Sequence, residues 1–363
     1  MNFDFSEDQR RLQEEVRRVL ADYSTSANVR RVLDGGSLYC GDTWQQLAAL
    51  GALGVAIPEV HGGAGMGLLE LCLVAEEAGR SLAAVPLLSS VYLAAETIRR
   101  AGSAAQQSAF LPRIANGELV VCSLLEQRME RVLADMAPRL EGEKVHGAIN
   151  AVPDAMAANL CLLLLDGRLA LINLAGDGIE RQPQQSLDPT RPLGRITFNG
   201  ANAEFLDNGN GASIAADVIN GAAVLLAFEQ VGGAEKALYA ARDYVMERRA
   251  FGRLVGSFQA VKHRLAELFA QIEIERVHAY FGAWAMATSA PELPRAAAAA
   301  RVSATTAYNS AAEESLHLHG GIGYTWEMDC HIHLRRARWL GQILGNEHTW
   351  REKLAASLIG GNA

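Results

Sequence analysis

The chain has 363 residues, half of them apolar (AVILMFWYC) and 20% charged, which excludes intrinsic disorder and allows two or three structural units. A formal net charge of -8 gives no global attraction for phosphate backbones or anionic lipid, so neither nucleic acid nor a membrane surface is an expected partner. The five cysteines, Cys40, Cys72, Cys122, Cys161 and Cys330, show neither a CxxC pair nor zinc-ligand spacing and are read as reduced core thiols of a cytoplasmic chain. The opening MNFDFSEDQRRL lacks the basic-then-apolar pattern of a leader, and no eighteen apolar residues run unbroken, so neither export nor a membrane span is expected.

The first helix is expected to start at Ser6-Glu-Asp-Gln9, a capping box, with Leu12, Val16, Val19 and Leu20 on one face. A second start is expected at Thr43-Trp-Gln-Gln46, leading into Leu47 and Leu50. The glycine-dense stretch Gly51 to Gly67 should break helix, and another helix is expected from Leu68 to Gly79. Further helices are expected over Pro86 to Arg100 and Ser103 to Ile114. From Glu118 the period changes: Leu119 to Leu125, Leu160 to Leu165 and Leu169 to Leu174 are short apolar runs, and Asp166-Gly167 between the last two is a hairpin turn. Arg195 to Phe198 is another strand. Helical periodicity resumes over Ser213–Arg249, Phe258–Ser289, Pro294–His319 and Asn346–Ile359. The organisation is therefore α, β, α, with domains 1–116, 117–211 and 212–363.

Two local patterns invite a chemical reading and are better explained without one. Gly62-Gly-Ala-Gly-Met-Gly67 lacks the GxGxxG spacing and follows no strand, so a plain loop is expected. His317-Leu-His319 and His331-Ile-His333 have no third ligand at helical spacing, so they are read as core or surface histidines and no metal is expected. There is no GxSxG elbow and no HExxH helix.

Three further segments carry a specific signal: Glu247-Arg-Arg-Ala-Phe-Gly252, Gly256-Ser-Phe-Gln-Ala-Val-Lys-His-Arg-Leu-Ala266, and His317-Leu-His-Gly-Gly-Ile-Gly-Tyr-Thr-Trp-Glu327. In wording and order they resemble the acyl-CoA dehydrogenase family, as do FSEDQRRL, IPEVHGGAG and the α, β, α order. The resemblance implies an α+β, mostly α fold: an N-terminal helical domain, a middle β-barrel-like domain and a C-terminal four-helix bundle that assembles tetramers around FAD. It also implies an acyl-CoA substrate, dehydrogenated between its α and β carbons with a carboxylate as base, and an electron-transfer flavoprotein or similar acceptor. In family tetramers each FAD crosses a subunit interface. Arg248, Phe251, Gln259, Gly320 and Gly321 match residues that reach a neighbour's FAD, and His317 stands where glutamine is usual.

The catalytic residue is unknown. Counting on from Gly320-Gly321, the family's usual base position falls on Leu344; counting back from Phe251, its alternative falls on Ala222. The nearest acids are Asp217, Glu229 and Glu347. Glu229 lies two turns beyond Ala222, roughly 10 Å away by helical rise, and a buried ion pair explains it better. The family's Thr-Glu-Pro and Trp-Ile-Thr flavin-ring segments fall on Ser123 to Gln127 and Ala151-Val-Pro153, without the hydroxyls and the indole. Three readings stay open. The chain is the FAD-sharing, base-lacking subunit of a heteromeric acyl-CoA dehydrogenase, such as those of bacterial steroid or dicarboxylate degradation. Alternatively, it is a homotetrameric enzyme with an unusually placed base, or an inactive assembly protein on the same fold.

Overall fold

The computed structural model describes residues 6–125, 137–206 and 208–360. Their contacts divide into two compact units. One gathers residues 1–26, 68–83 and 223–363, and the other residues 27–67 and 84–222.

The first unit is helical. Helix α1 (Glu7–Tyr23) opens with the expected capping box: Ser6 Oγ accepts from the Gln9 N–H at 3.2 Å and the Gln9 side chain accepts from the Ser6 N–H at 2.9 Å. It packs on α4 (Leu68–Arg80), and α7 (Gly211–Glu247), α8 (Gln259–Ala287), α9 (Leu293–Leu318), α10 (Cys330–Leu340) and α11 (Glu347–Gly360) complete the unit. The first turns of α7, up to Ala222, cluster with the other unit. Helix α7 is apolar and long enough to cross a membrane, yet Ala223 to Phe228 are almost wholly buried in protein, as in a core helix. Where α4 meets α7 each helix supplies a glycine: a Cβ on Gly79 would overlap the Glu229 carbonyl, and one on Gly232 the Glu76 carbonyl. A polar network closes the same junction. Glu77 accepts two hydrogen bonds from the Arg17 guanidinium, at 2.9 and 2.8 Å, Arg276 pairs with Glu76 and Glu235, and Arg80 reaches Glu235 at 2.7 Å.

The second unit holds α2 (Ser26–Leu33, whose first residue clusters with the other unit), α3 (Gly41–Ala49), α5 (Glu96–Ala101), α6 (Ala104–Ala115) and two sheets. One sheet runs β1 (Val121–Leu124), β4 (Leu160–Leu165), β5 (Arg168–Asn173), β8 (Glu204–Leu206), with β1 and β4 parallel. The other runs β2 (Arg139–Glu141), β3 (Lys144–Pro153), β7 (Leu193–Asn202), β6 (Ile179–Gln184), all antiparallel. Alternation along these strands sends Cys122, Val145, Ile149, Leu163, Ile172 and Phe198 into one core. Asp166 and Gly167, at φ 47° and 80°, close the β4–β5 hairpin as their spacing predicts.

Several local expectations change. Helix α3 starts after Cys40, not at Thr43: the Trp44 N–H bonds to the Cys40 carbonyl, and the Thr43 hydroxyl turns back to Cys40 Sγ at 3.0 Å. Residues 87–95 form a π-helical stretch before α5, so the expected helix over Pro86 to Arg100 is two geometries in series. Helix α10 and strands β2, β3 and β6 lie outside the segments that periodicity picks out.

Candidate functional site

Helix α7 ends at Glu247, and the chain turns through the two-residue strands β9 (Arg249–Ala250) and β10 (Arg253–Leu254). The connecting residues, Phe251 and Gly252, have φ of 52° and 78°. Glycine adopts this conformation freely, whereas a phenylalanine there is strained by about 1 to 2 kcal/mol. Phe251 is also 94% exposed, touching Phe258 edge-on with ring centroids 6.4 Å apart, so neither its strain nor its exposure serves the fold of this chain. Arg248 sits just before this turn. Its backbone is tied down, its N–H donating to the Tyr244 carbonyl at 2.9 Å and its own carbonyl accepting from Val255 at 2.8 Å. Its guanidinium is exposed and pairs with nothing among the described residues.

Two more segments reach this end of the helical unit. Gln259 opens α8 and is exposed. His317 lies in the last turn of α9 and is exposed, and the chain then turns at Gly320, φ 63°, and Gly321. A Cβ built on either glycine meets nothing within 4 Å, so their backbone faces open space. Side chains hold the segments together: the Tyr244 and His319 rings stack with centroids 4.4 Å apart, and Arg264 pairs with Glu314 at 3.1 Å. The six residues expected to hold a cofactor thus come from three helix ends that converge, each with its functional group exposed. An unpaired guanidinium and an open glycine turn on helix ends joined by the Tyr244–His319 stack are suited to a phosphate-bearing ligand.

At the two expected base positions there is no acid. Leu344 adopts φ 57° beside Gly345, φ 95°, its carbonyl accepting from Trp350 Nε1 at 3.0 Å, while Ala222 is fully buried. The nearest acids are engaged elsewhere. Glu229 is fully buried and faces Arg336 at 3.5 Å, the ion pair its sequence context suggested. Asp217 pairs with Arg100 at 3.4 Å, and Glu347 accepts from Arg351 Nε at 2.8 Å.

The strand expected against a flavin ring ends differently from its sequence model. Ala151 is exposed at φ 53°, Val152 packs in the β core, Pro153 is buried, and Asp154 accepts a hydrogen bond from the buried Ser89. Ser123 donates to the Ser89 carbonyl at 3.0 Å, whereas Glu126 and Gln127 lie outside the described residues. The glycine cluster 62–67 is a packed loop, since a Cβ on Gly63 would overlap the Ile57 carbonyl. Of the other histidines, His333 is bonded to the Tyr308 hydroxyl at 3.0 Å and His331 stacks on Trp326.

Buried ionisable groups on α8 and α9 also escape the motif reading. Glu275 is fully buried on α8 and neither of its oxygens has a hydrogen-bond partner among the described residues. Burial pushes its carboxyl well above the usual range, and Arg276 offsets only part of that. Its place on the buried face shared by Leu268, Ile272 and Ala279 was the available signal. Arg301 is buried on α9, its pKa lowered to about 10 by burial against the opposing pull of Glu229, and it donates to the Leu340 and Ile343 carbonyls.

Residues 6–118 match the acyl-CoA dehydrogenase N-terminal domain and residues 209–359 the acyl-CoA dehydrogenase C-terminal domain. The chain is similar to the acyl-CoA dehydrogenase IpdE2 of Mycobacterium tuberculosis, 31% identical over 339 residues that cover 93% of each. It is 28% identical to the IpdE2 of Mycolicibacterium smegmatis, over 98% of this chain and 100% of that relative. Among solved structures, a variant of the Tcur3481-Tcur3483 steroid ACAD superposes with a TM-score of 0.89 at 29% identity, covering 98% of this chain and 99% of that one. A glutaryl-coenzyme A dehydrogenase shares the fold, with a TM-score of 0.91 at 24% identity over 99% of this chain and 97% of its own. Two family domains that bracket the β sheets, and relatives matched along nearly their whole length, place the chain in the acyl-CoA dehydrogenase family, FAD-dependent oxidoreductases that act on acyl-CoA thioesters.

Proposed function

We propose that this chain is the FAD-sharing, base-lacking subunit of a heteromeric acyl-CoA dehydrogenase. One observation carries the reading: the Arg248 guanidinium and the Gly320–Gly321 turn are left open, while the two base positions hold Leu344 and Ala222. The residues present fit the phosphate-bearing end of FAD. Arg248 would pair with its pyrophosphate oxygens, Gly320 and Gly321 would admit a phosphate against bare backbone, and Gln259 and His317 would supply further hydrogen bonds. They do not fit the ring end, because Ala151 and Pro153 carry no side-chain donor and Pro153 has no N–H. Bound FAD supplies a hydride acceptor for the dehydrogenation of the thioester.

The partner on this reading is a second acyl-CoA dehydrogenase subunit in a tetramer, which contributes the base and contacts the flavin ring. Helix α8 offers exposed apolar side chains for such a contact, with Ile274 at 61% and Val277 at 60% exposure and Phe269 about two turns before Val277. The name of the similar Tcur3481-Tcur3483 steroid ACAD gives two components, which supports a two-subunit enzyme and a steroid-derived acyl-CoA. An electron-transfer flavoprotein or similar acceptor, a cytoplasmic location and sequence domains at 1–116, 117–211 and 212–363 belong to the same proposal. The test is the visible spectrum of the chain purified alone and after co-expression with a base-bearing acyl-CoA dehydrogenase subunit from the same genome. Flavin only in the co-expressed sample supports the reading. Full flavin occupancy with turnover in the chain alone would replace it with a homotetramer bearing an unusual base, and no flavin in either sample with an inactive assembly protein.

A further inference from the structure

We propose that His319 is a positioning residue of this half-site: its ring, stacked on Tyr244, sets the Arg248 guanidinium against the Gly320–Gly321 backbone. The inference rests on the half-site reading above. Tyr244 and His319 are each one step from the groups that would touch the ligand. Tyr244 lies one helical turn before Arg248 and accepts that residue's N–H through its carbonyl, and His319 immediately precedes Gly320. Their rings stack at 4.4 Å with 27° between planes, joining the end of α7 to the end of α9.

The imidazole is held on three sides. It is 5% exposed, and its Nδ1 lies 2.6 Å from the Ser315 carbonyl oxygen. Nδ1 therefore carries the hydrogen and donates it, which fixes the ring plane. On the far side Gly323 comes so close that a Cβ there would lie 2.8 Å from the His319 Cβ, so the glycine turn is folded around the histidine. A guanidinium on a flexible stem and a turn without side chains have little else to register them. A packing residue alone would need only bulk at this position, whereas positioning needs a flat ring for Tyr244 to meet.

The full-length chain is titrated with ADP, a probe of the pyrophosphate and adenosine end, by calorimetry or ligand-observed NMR. Arg248→Ala and His319→Ala should each weaken ADP by about tenfold, the loss of one charge-assisted hydrogen bond. His319→Phe, which keeps the stack, should stay within about threefold of the parent. The double variant Arg248→Ala/His319→Ala should be little weaker than either single one, because His319 acts through Arg248. Should His319→Ala fail to fold, Tyr244→Leu removes the stack with an apolar side chain still in place and should weaken ADP equally. A His319→Ala chain that binds ADP as the parent does, while Arg248→Ala does not, would overturn the positioning role alone. So would single losses that multiply in the double variant, which make the two residues independent. Unchanged affinity in Arg248→Ala, or a parent that takes up no ADP, would remove the half-site reading and this proposal with it.

Discussion

Replacing Glu275 should reveal a neutral acid in the centre of the helical unit. The carboxyl is fully buried, both oxygens lack hydrogen-bond partners among the described residues, and desolvation outweighs the attraction of Arg276, so the folded chain keeps the proton well above the usual carboxylate pKa. The unfolded chain releases it near the reference value of about 4.3. Between these two pKa values folding therefore takes up a proton. Stability then falls as pH rises, by at most about 1.4 kcal/mol per pH unit, and levels off above the folded pKa. For a cooperative unit of 150 to 250 residues, about 1 kcal/mol moves the unfolding midpoint by about 2 to 4 °C. The parent should thus lose up to about 3 to 6 °C per pH unit relative to a variant that cannot ionise. Glu275→Met removes both the charge and the orphaned oxygens at similar volume, and should raise the midpoint by more as pH rises above 5. The assay is thermal unfolding of both chains across that range at fixed ionic strength. Parallel pH profiles would refute the argument, because they would mean that Glu275 ionises alike in the folded and unfolded chains.

Two other substitutions test the reading of the helical unit. Glu229→Gln should leave turnover of any active assembly within a few-fold of the parent once corrected for bound flavin, because Glu229 is committed to Arg336; loss of turnover on the order of a hundredfold, as removal of a general base gives, would make it catalytic. Gly79→Ala should destabilise the unit by about 3 kcal/mol or more, since the methyl overlaps the Glu229 carbonyl and α4 and α7 must part; a denaturation midpoint equal to the parent's would show that the helices are not in close backbone contact.

Much of the fold is legible because short-range chemistry and apolar period agree. The Ser6–Gln9 box, the Asp166–Gly167 turn and the stripe of apolar residues on α1 each act locally and appear as their residues suggest. The exceptions share a cause. Helix α10 hides from an apolar period because its buried face includes His333 and Arg336, whose partners, Tyr308 and Glu229, are far away in sequence. The start of α3 at Cys40 and the π-helical stretch 87–95 depend on tertiary packing that no window of a dozen residues contains. The strands β3 and β7 are interrupted by bulges and by glycines, which blur a two-residue period. In the site, Arg248, Phe251 and the glycine turn are legible as motifs, and the missing base follows from Leu344 and Ala222. The Tyr244–His319 stack is not legible, because the two residues are separated by the whole of α8 and α9 and their pairing exists only after the helices align.

The noncontiguous make-up of the helical unit bears on its birth at the ribosome. Glu76 and Glu77 emerge early, with Arg17 already made, but Arg276 is translated 200 residues after Glu76. At roughly 5 to 20 residues per second that interval is on the order of 10 to 40 s. Until the residues after 222 are made α1 and α4 lack the apolar face of α7, and until the interval ends Glu76 lacks Arg276, while residues 27–67 and 84–222 are complete before α8 begins and can fold among themselves. A nascent chain stalled before residue 223 would therefore expose two orphaned helices, a natural substrate for a chaperone, and release from that chaperone would await the very segment that carries the cofactor contacts.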